Sequence, residues 1–132
     1  METQLNGIHV LVVEDDPDTL ELLRVLLQTN GATVTAASSV PDGLSAYDQS
    51  PPTVIVADIG MPEYNGYTLI GRVRARDRER GIFVPAIALT AYTTAIDRDT
   101  VLSAGFQLHM AKPFEPSRLV SAIAGLASKY AK

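Results

Sequence analysis

Val54-Ile55-Val56-Ala57-Asp58-Ile59-Gly60-Met61-Pro62 is the stretch whose reading decides the fold. Four apolar residues run straight into a lone carboxylate, and a turn follows at once. An uninterrupted apolar run of this length reads as a strand buried on both faces, as in a parallel sheet. Gly60 and Pro62 prevent its continuation. Asp58 therefore falls at the carboxyl end of a central strand, where open α/β sheets hold their ligands. On its own it is most simply a solvated Asp opening a turn. Its company elsewhere in the chain changes that reading.

Working outward, the pattern repeats. Ile8 to Val13 is a first apolar strand, ending in Glu14-Asp15-Asp16. Pro17 suits the first turn of a helix with Asp16 as its N-cap. That helix faces inward with Leu20, Leu23 and Leu27, flanked by Leu22 and Leu26, while Glu21, Arg24 and Gln28 point away, and Gly31 stops it. Ala32 to Ala36 is a weaker second strand. A helix from about Ser39, with Leu44 and Tyr47 inward, runs until Pro51-Pro52. Beyond Asp58, a third helix spans Gly66 to about Asp77, and the charge run from Arg72 to Arg80 reads as its solvated end. Phe83 to Leu89 is the fourth strand, with Pro85 tolerable near its start, and it leads into Thr90-Ala91. A weak, Thr-rich fourth helix covers about Thr93 to Ser103 and closes at Gly105. Phe106 to Met110 is the fifth strand, followed by Ala111-Lys112-Pro113. Pro116 opens the last helix, whose face is Leu119, Ile123, Leu126 and Tyr130.

Five strands alternating with five helices predict an α/β fold, a doubly wound parallel sheet with right-handed crossovers and helices on both faces. The 132 residues fit one domain, residues 1–132 with a core at about 8–130. Hydrophobic residues at 46% and charged ones at 20% describe a globular chain. A net charge of −4 disfavours direct binding of nucleic acid, and no apolar run reaches the length of a membrane span. Cysteine is absent, which excludes disulfide and thiolate chemistry and fits a cytoplasmic setting. His9, within the first strand, reads as structural.

Parallel strands share one carboxyl edge, so Glu14, Asp15, Asp58, Thr90 and Lys112 converge there. Clustered carboxylates stay ionised only where a cation intervenes. Hard oxygen ligands without His or Cys point to Mg²⁺, and the Gly60 carbonyl could add a further oxygen to Glu14, Asp15 and Asp58. Beside Thr90 and Lys112 this is a phosphoryl-binding arrangement. Asp58 can attack phosphorus to give an acyl phosphate, with the Thr90 hydroxyl and the Lys112 ammonium on the remaining phosphoryl oxygens.

Val12-Val13-Glu14-Asp15-Asp16-Pro17, Asp58-x-x-Met61-Pro62, Gly66-Tyr67, Ala88-Leu89-Thr90-Ala91 and Lys112-Pro113, in this order and spacing, resemble the receiver domain of two-component response regulators. The resemblance covers Ile8 to Tyr130. It implies strand order 2-1-3-4-5, Asp58 as phosphoacceptor, Glu14 and Asp15 as the acid pair, Thr90 as the switch hydroxyl and Lys112 as the phosphoryl-contacting lysine, with a cis Lys112-Pro113 bond. Glu14 departs from the more usual Asp, so Asp15 is expected to be the direct metal ligand, with Glu14 reaching it through water. His109 stands where the family usually carries Tyr or Phe and is a candidate second switch residue. The resemblance further implies a sensor histidine kinase or a histidine phosphotransfer domain as partner, no catalysis beyond the domain's own Mg²⁺-dependent phosphorylation and dephosphorylation, and a phosphorylation-dependent dimer. The segment from Gly105 to Pro113, and Gly60 where Leu is commoner, resemble receivers of hybrid histidine kinases. The segment from Thr90 to Met110 is expected to move on activation.

Rival readings each lack a part. An Asp-nucleophile phosphatase of the haloacid dehalogenase type wants a second Asp two residues after the first, where this chain has Gly60. A flavodoxin-like domain wants a Ser/Thr/Gly-rich phosphate loop where this chain has Glu14-Asp15-Asp16. A docking module that is never phosphorylated would have no need of the intact constellation.

Overall fold

The computed structural model describes residues 4–60, 65–90 and 95–131. In chain order the elements are β1 (His9–Val13), α1 (Pro17–Thr29), β2 (Thr33–Ala37), α2 (Val40–Gln49), β3 (Val54–Asp58), α3 (Gly66–Arg80), β4 (Ala86–Thr90), α4 (Ala95–Ala104), β5 (Leu108–Ala111) and α5 (Pro116–Lys129). All pairings are parallel, and the strand order is β2-β1-β3-β4-β5.

Four helices begin where a side chain can accept the unpaired N–H groups of the first turn. Asp16 accepts from Thr19 N, Ser39 from Asp42 N, Asn65 from Tyr67 N and Thr68 N, and Glu115 from Ser117 N. Pro at the start of α1, α2 and α5 costs nothing there, since its missing N–H would have been unpaired. Gly81 and Gly105 turn the chain out of α3 and α4 at positive φ, 66° and 126°.

Alternation along each strand divides the core in two. Leu11, Val13, Ile55, Ala57, Ala86 and Ala88 pack with α2, α3 and α4 through Leu44, Tyr47, Leu69, Ile70 and Val101. Val10, Val12, Val54, Val56, Ile87 and Leu89 pack with α1 and α5 through Leu23, Leu27, Leu119 and Ile123. Both faces of β3 and β4 are covered, which is why those strands read as continuous apolar runs. Each fully buried aliphatic side chain contributes about 1.5–3 kcal/mol. Among its described side chains, residues 98–104, α4 buries only Val101, so it is held more weakly than α1 with Leu23 and Leu27.

Some boundaries differ from the sequence reading. The fourth strand begins at Ala86, because Pro85 has no N–H to give a ladder, although its carbonyl accepts from Ile55 N at 3.0 Å. The fifth begins at Leu108. Met61, Pro62, Ala91 and Thr93, to which motifs or a helix start were assigned, lie outside the described residues. The Arg72–Arg80 run is not simply a solvated end: Arg74 and Asp77 turn inward. Arg74 Nη1 pairs with Asp77 Oδ2 at 2.6 Å, and its other donors reach the carbonyls of Val84 and Gly105 and the Gln107 side chain. Asp77, 3% exposed, also accepts from the Tyr47 hydroxyl and from Val84 N. Every polar group of this pair is thereby satisfied, which is what allows it to be buried.

Candidate functional site

Register assembles the site. Val13 pairs with Ala57, so the next residues, Glu14 and Asp58, emerge side by side from β1 and β3. Asp58 pairs with Leu89, and Thr90 pairs with Ala111, so Thr90 and Lys112 leave β4 and β5 at the same edge. Lys112 N donates to the Thr90 carbonyl at 2.7 Å, and the Lys112-Pro113 bond is cis.

Glu14 is 1% exposed and its two carboxylate oxygens are both engaged. Oε1 accepts from Lys112 Nζ at 2.8 Å, and Oε2 accepts from Asp16 N at 3.1 Å. The same Nζ lies 3.5 Å from Asp58 Oδ1. Asp58 is buried, and its Oδ1 also accepts from Gly60 N at 3.1 Å. Burial raises the Glu14 pKa above the ordinary carboxylate value, and the Asp58 charge adds to that, against the opposing pull of Lys112 and Asp16 N. Burial works against the Lys112 ammonium, but its hydrogen bond to Glu14 and the charges of Glu14 and Asp58 prevail and raise its pKa. One ammonium thus bridges two buried carboxylates.

Asp15 completes the acid group from the exposed rim. One oxygen from each of Glu14, Asp15 and Asp58 falls within 4.8 Å of the others. An all-oxygen set of three carboxylates, with no His or Cys in it, fits a hard divalent cation such as Mg²⁺. Thr90 is buried at the same edge. Two residues before Ala111 on β5, His109 lies beside Ala88, with a buried Nε2 that has no hydrogen-bond partner among the described residues. His9 is tied to Thr35 Oγ1 at 2.8 Å, in keeping with a structural role. The sequence reading brought Glu14, Asp15, Asp58, Thr90 and Lys112 to one edge and missed the Lys112–Glu14 pair. A pairing across 98 residues has no local signature.

The comparisons agree with this geometry. Residues 10–124 match the response regulator receiver domain family. A 14.6 kDa protein of the sodA1 3′ region of Leptolyngbya boryana is 44% identical over 116 residues, which is 88% of this chain and 87% of that protein. The transcriptional regulatory protein TrcR of Mycobacterium tuberculosis is 34% identical over 119 residues, 90% of this chain but only 45% of its own length. The signal receiver domain of a signal transduction histidine kinase from Syntrophus aciditrophicus superposes with a TM-score of 0.84 at 25% identity, covering 96% of this chain and 94% of that one. Acidic triads of this kind are typical of receiver Mg²⁺ sites. No helix among the described residues is long and apolar enough to cross a membrane.

Proposed function

The chain belongs to the response regulator receiver domain family, and from that membership we propose that Asp58 is the residue phosphorylated when this receiver takes part in a phosphorelay. The observation that carries the assignment is the Lys112 Nζ, held at 2.8 Å from Glu14 Oε1 and 3.5 Å from Asp58 Oδ1. It joins the acceptor to the acid group and leaves a cation beside the attacking oxygen.

In the proposed step an Asp58 oxygen attacks the phosphorus of a phosphohistidine. The P–O bond forms as the P–N bond breaks, the bonding pair stays on the ring nitrogen, and the donor histidine, already protonated at its other ring nitrogen, leaves as neutral imidazole. Lys112 and the Thr90 hydroxyl would bond the phosphoryl oxygens as their charge is redistributed. Glu14, Asp15, Asp58 and the Gly60 carbonyl would hold Mg²⁺, which supplies neutralisation of the phosphoryl oxygens. Water later hydrolyses the acyl phosphate and returns Asp58. Thr90 and His109 are proposed to carry the switch. Beyond its own phosphorylation and dephosphorylation, the domain turns over no substrate in this reading.

We take residues 1–132 as one receiver domain, in a cytoplasmic setting, with a histidine kinase or phosphotransfer domain as donor and a phosphorylation-dependent dimer as one form of output. Matched proteins include both regulators and the receiver of a histidine kinase. The resemblance of Gly105–Pro113 to hybrid-kinase receivers favours a donor on the same polypeptide, where high effective concentration compensates for weak affinity. Selective phosphorylation by an unlinked kinase would overturn that part alone.

The test of the site is chemical. Incubation with acetyl phosphate and Mg²⁺ should add one phosphoryl group, located at Asp58 by mass spectrometry, and chelation should abolish it. Asp58→Asn should not be labelled. Labelling of that variant at the wild-type level refutes the assignment.

A further inference from the structure

The first residue of α3 touches the backbone of the acceptor. Gly66 N donates to the Ile59 carbonyl at 3.1 Å. A Cβ at position 66 would stand 2.9 Å from the Asp58 carbonyl oxygen and 2.9 Å from Ile59 Cα, both closer than real side chains come to backbone. The φ of Gly66 is not positive, so the requirement for glycine is one of space rather than conformation.

Neither partner in that contact is free to retreat. Asp58 is held by its pairing with Leu89, and Ile59 N donates to the Leu89 carbonyl at 3.0 Å. On the other side, Asn65 caps α3 through Tyr67 N and Thr68 N, while Leu69 and Ile70 are fully buried. A methyl group at 66 must therefore displace the end of β3, the first turn of α3, or both. The Asp58 carboxylate hangs from the displaced backbone, and the spacing it keeps is tight: 3.1 Å to Gly60 N and 3.5 Å to Lys112 Nζ.

We propose that Gly66 is a positioning residue for phosphorylation: by letting α3 approach the backbone of Asp58 and Ile59, it sets where the acceptor carboxylate lies relative to Lys112 and the acid pair. Displacements well under 1 Å matter in such a step, because attack at phosphorus requires an aligned oxygen. The role rests on Asp58 being the acceptor.

Gly71 and Gly125 make the comparison clean. Both lie within helices, and a Cβ at either meets nothing within 4 Å. Gly66→Ala, Gly71→Ala and Gly125→Ala are compared for labelling by acetyl phosphate at saturating Mg²⁺, for melting temperature, and for the Gly60 amide resonance, which reports the hydrogen bond to Asp58. Gly66→Ala should fold, label about tenfold more slowly at saturating acetyl phosphate, and shift the Gly60 amide, whereas the other two should label at the wild-type rate. A folded Gly66→Ala that labels at the wild-type rate overturns the proposal. So does a Gly66→Ala that fails to fold, since the glycine is then a folding requirement. If wild-type protein is not labelled at Asp58 at all, the acceptor assignment fails first and takes this inference with it.

Discussion

Lys112 and Glu14, 98 residues apart in the chain, form an ion pair of 2.8 Å in which Glu14 is buried and Lys112 is only partly so. The asymmetry matters. The Lys112 side chain keeps 23% of its surface exposed, whereas the carboxylate depends on its protein partners for most of its solvation.

Lys112→Ala should therefore destabilise the fold, but by less than the loss of a fully enclosed partner: about 1–2 kcal/mol, after allowance for the solvent and ions that can replace the ammonium. It should slow phosphorylation without weakening Mg²⁺ binding, because the acid group becomes more negative when its internal cation is removed. Urea denaturation with and without Mg²⁺ measures both effects, since a cation bound only to the folded state stabilises it by roughly 2.7 kcal/mol at a hundred times its Kd. A variant no longer stabilised by Mg²⁺ would show that Lys112 helps to build the metal site.

Arg74→Met should be far more damaging than Arg76→Ala. The Arg74 side chain is 13% exposed, and its loss leaves buried Asp77 without its cation and the Val84 and Gly105 carbonyls without a donor. The expected cost is about 3–5 kcal/mol. Arg76 pairs with Asp48 at the surface, where such pairs contribute about 0–1 kcal/mol. Equal losses in thermal unfolding would show that the inward network is unimportant.

Tyr47 gives an alkaline signature. Burial, reinforced by its hydrogen bond to the Asp77 carboxylate, raises its pKa well above the ordinary tyrosine value of about 10. The unfolded chain thus releases this proton at lower pH than the folded one does. The stability that this group contributes is fully present below pH ~10 and declines as pH rises from there towards the folded pKa. Tyr47→Phe should cost about 1–2 kcal/mol near neutral pH, and the gap from wild type should narrow at pH ~11. A gap independent of pH across that interval is the contrary result.

His109→Phe should stabilise the unphosphorylated domain by about 1 kcal/mol, because it removes a buried ring nitrogen that has no partner among the described residues. Backbone shifts on addition of beryllium fluoride should cluster between Thr90 and Met110, where α4 is anchored through Val101 and His109 lies half-buried. They should fade at Gly105 and Gln107, which Arg74 holds. Shifts concentrated instead at Leu20 to Leu27 would place the moving face on α1.

Much of this protein was legible locally. The runs ending at Val13 and Asp58 are strands because both their faces are covered, so burial on both sides is written as unbroken apolarity. Asp16 before Pro17 and Ser39 before Val40 announce helices, because a cap acts on groups only two or three residues away. Once the strands are taken as parallel, Asp58, Thr90 and Lys112 must meet, since Asp58 and Thr90 end their strands and Lys112 directly follows its own. What the tertiary structure alone decided are the interactions whose partners lie far apart in sequence. Register, not spacing, makes Lys112 the counter-ion of Glu14. Arg74 and Asp77 sit in a run of charges that solvent would satisfy equally well, and only the approach of Tyr47, Val84, Gly105 and Gln107 makes the interior the better place for them. A charge carries no local sign of burial, because its desolvation is offset by groups that the fold brings from elsewhere.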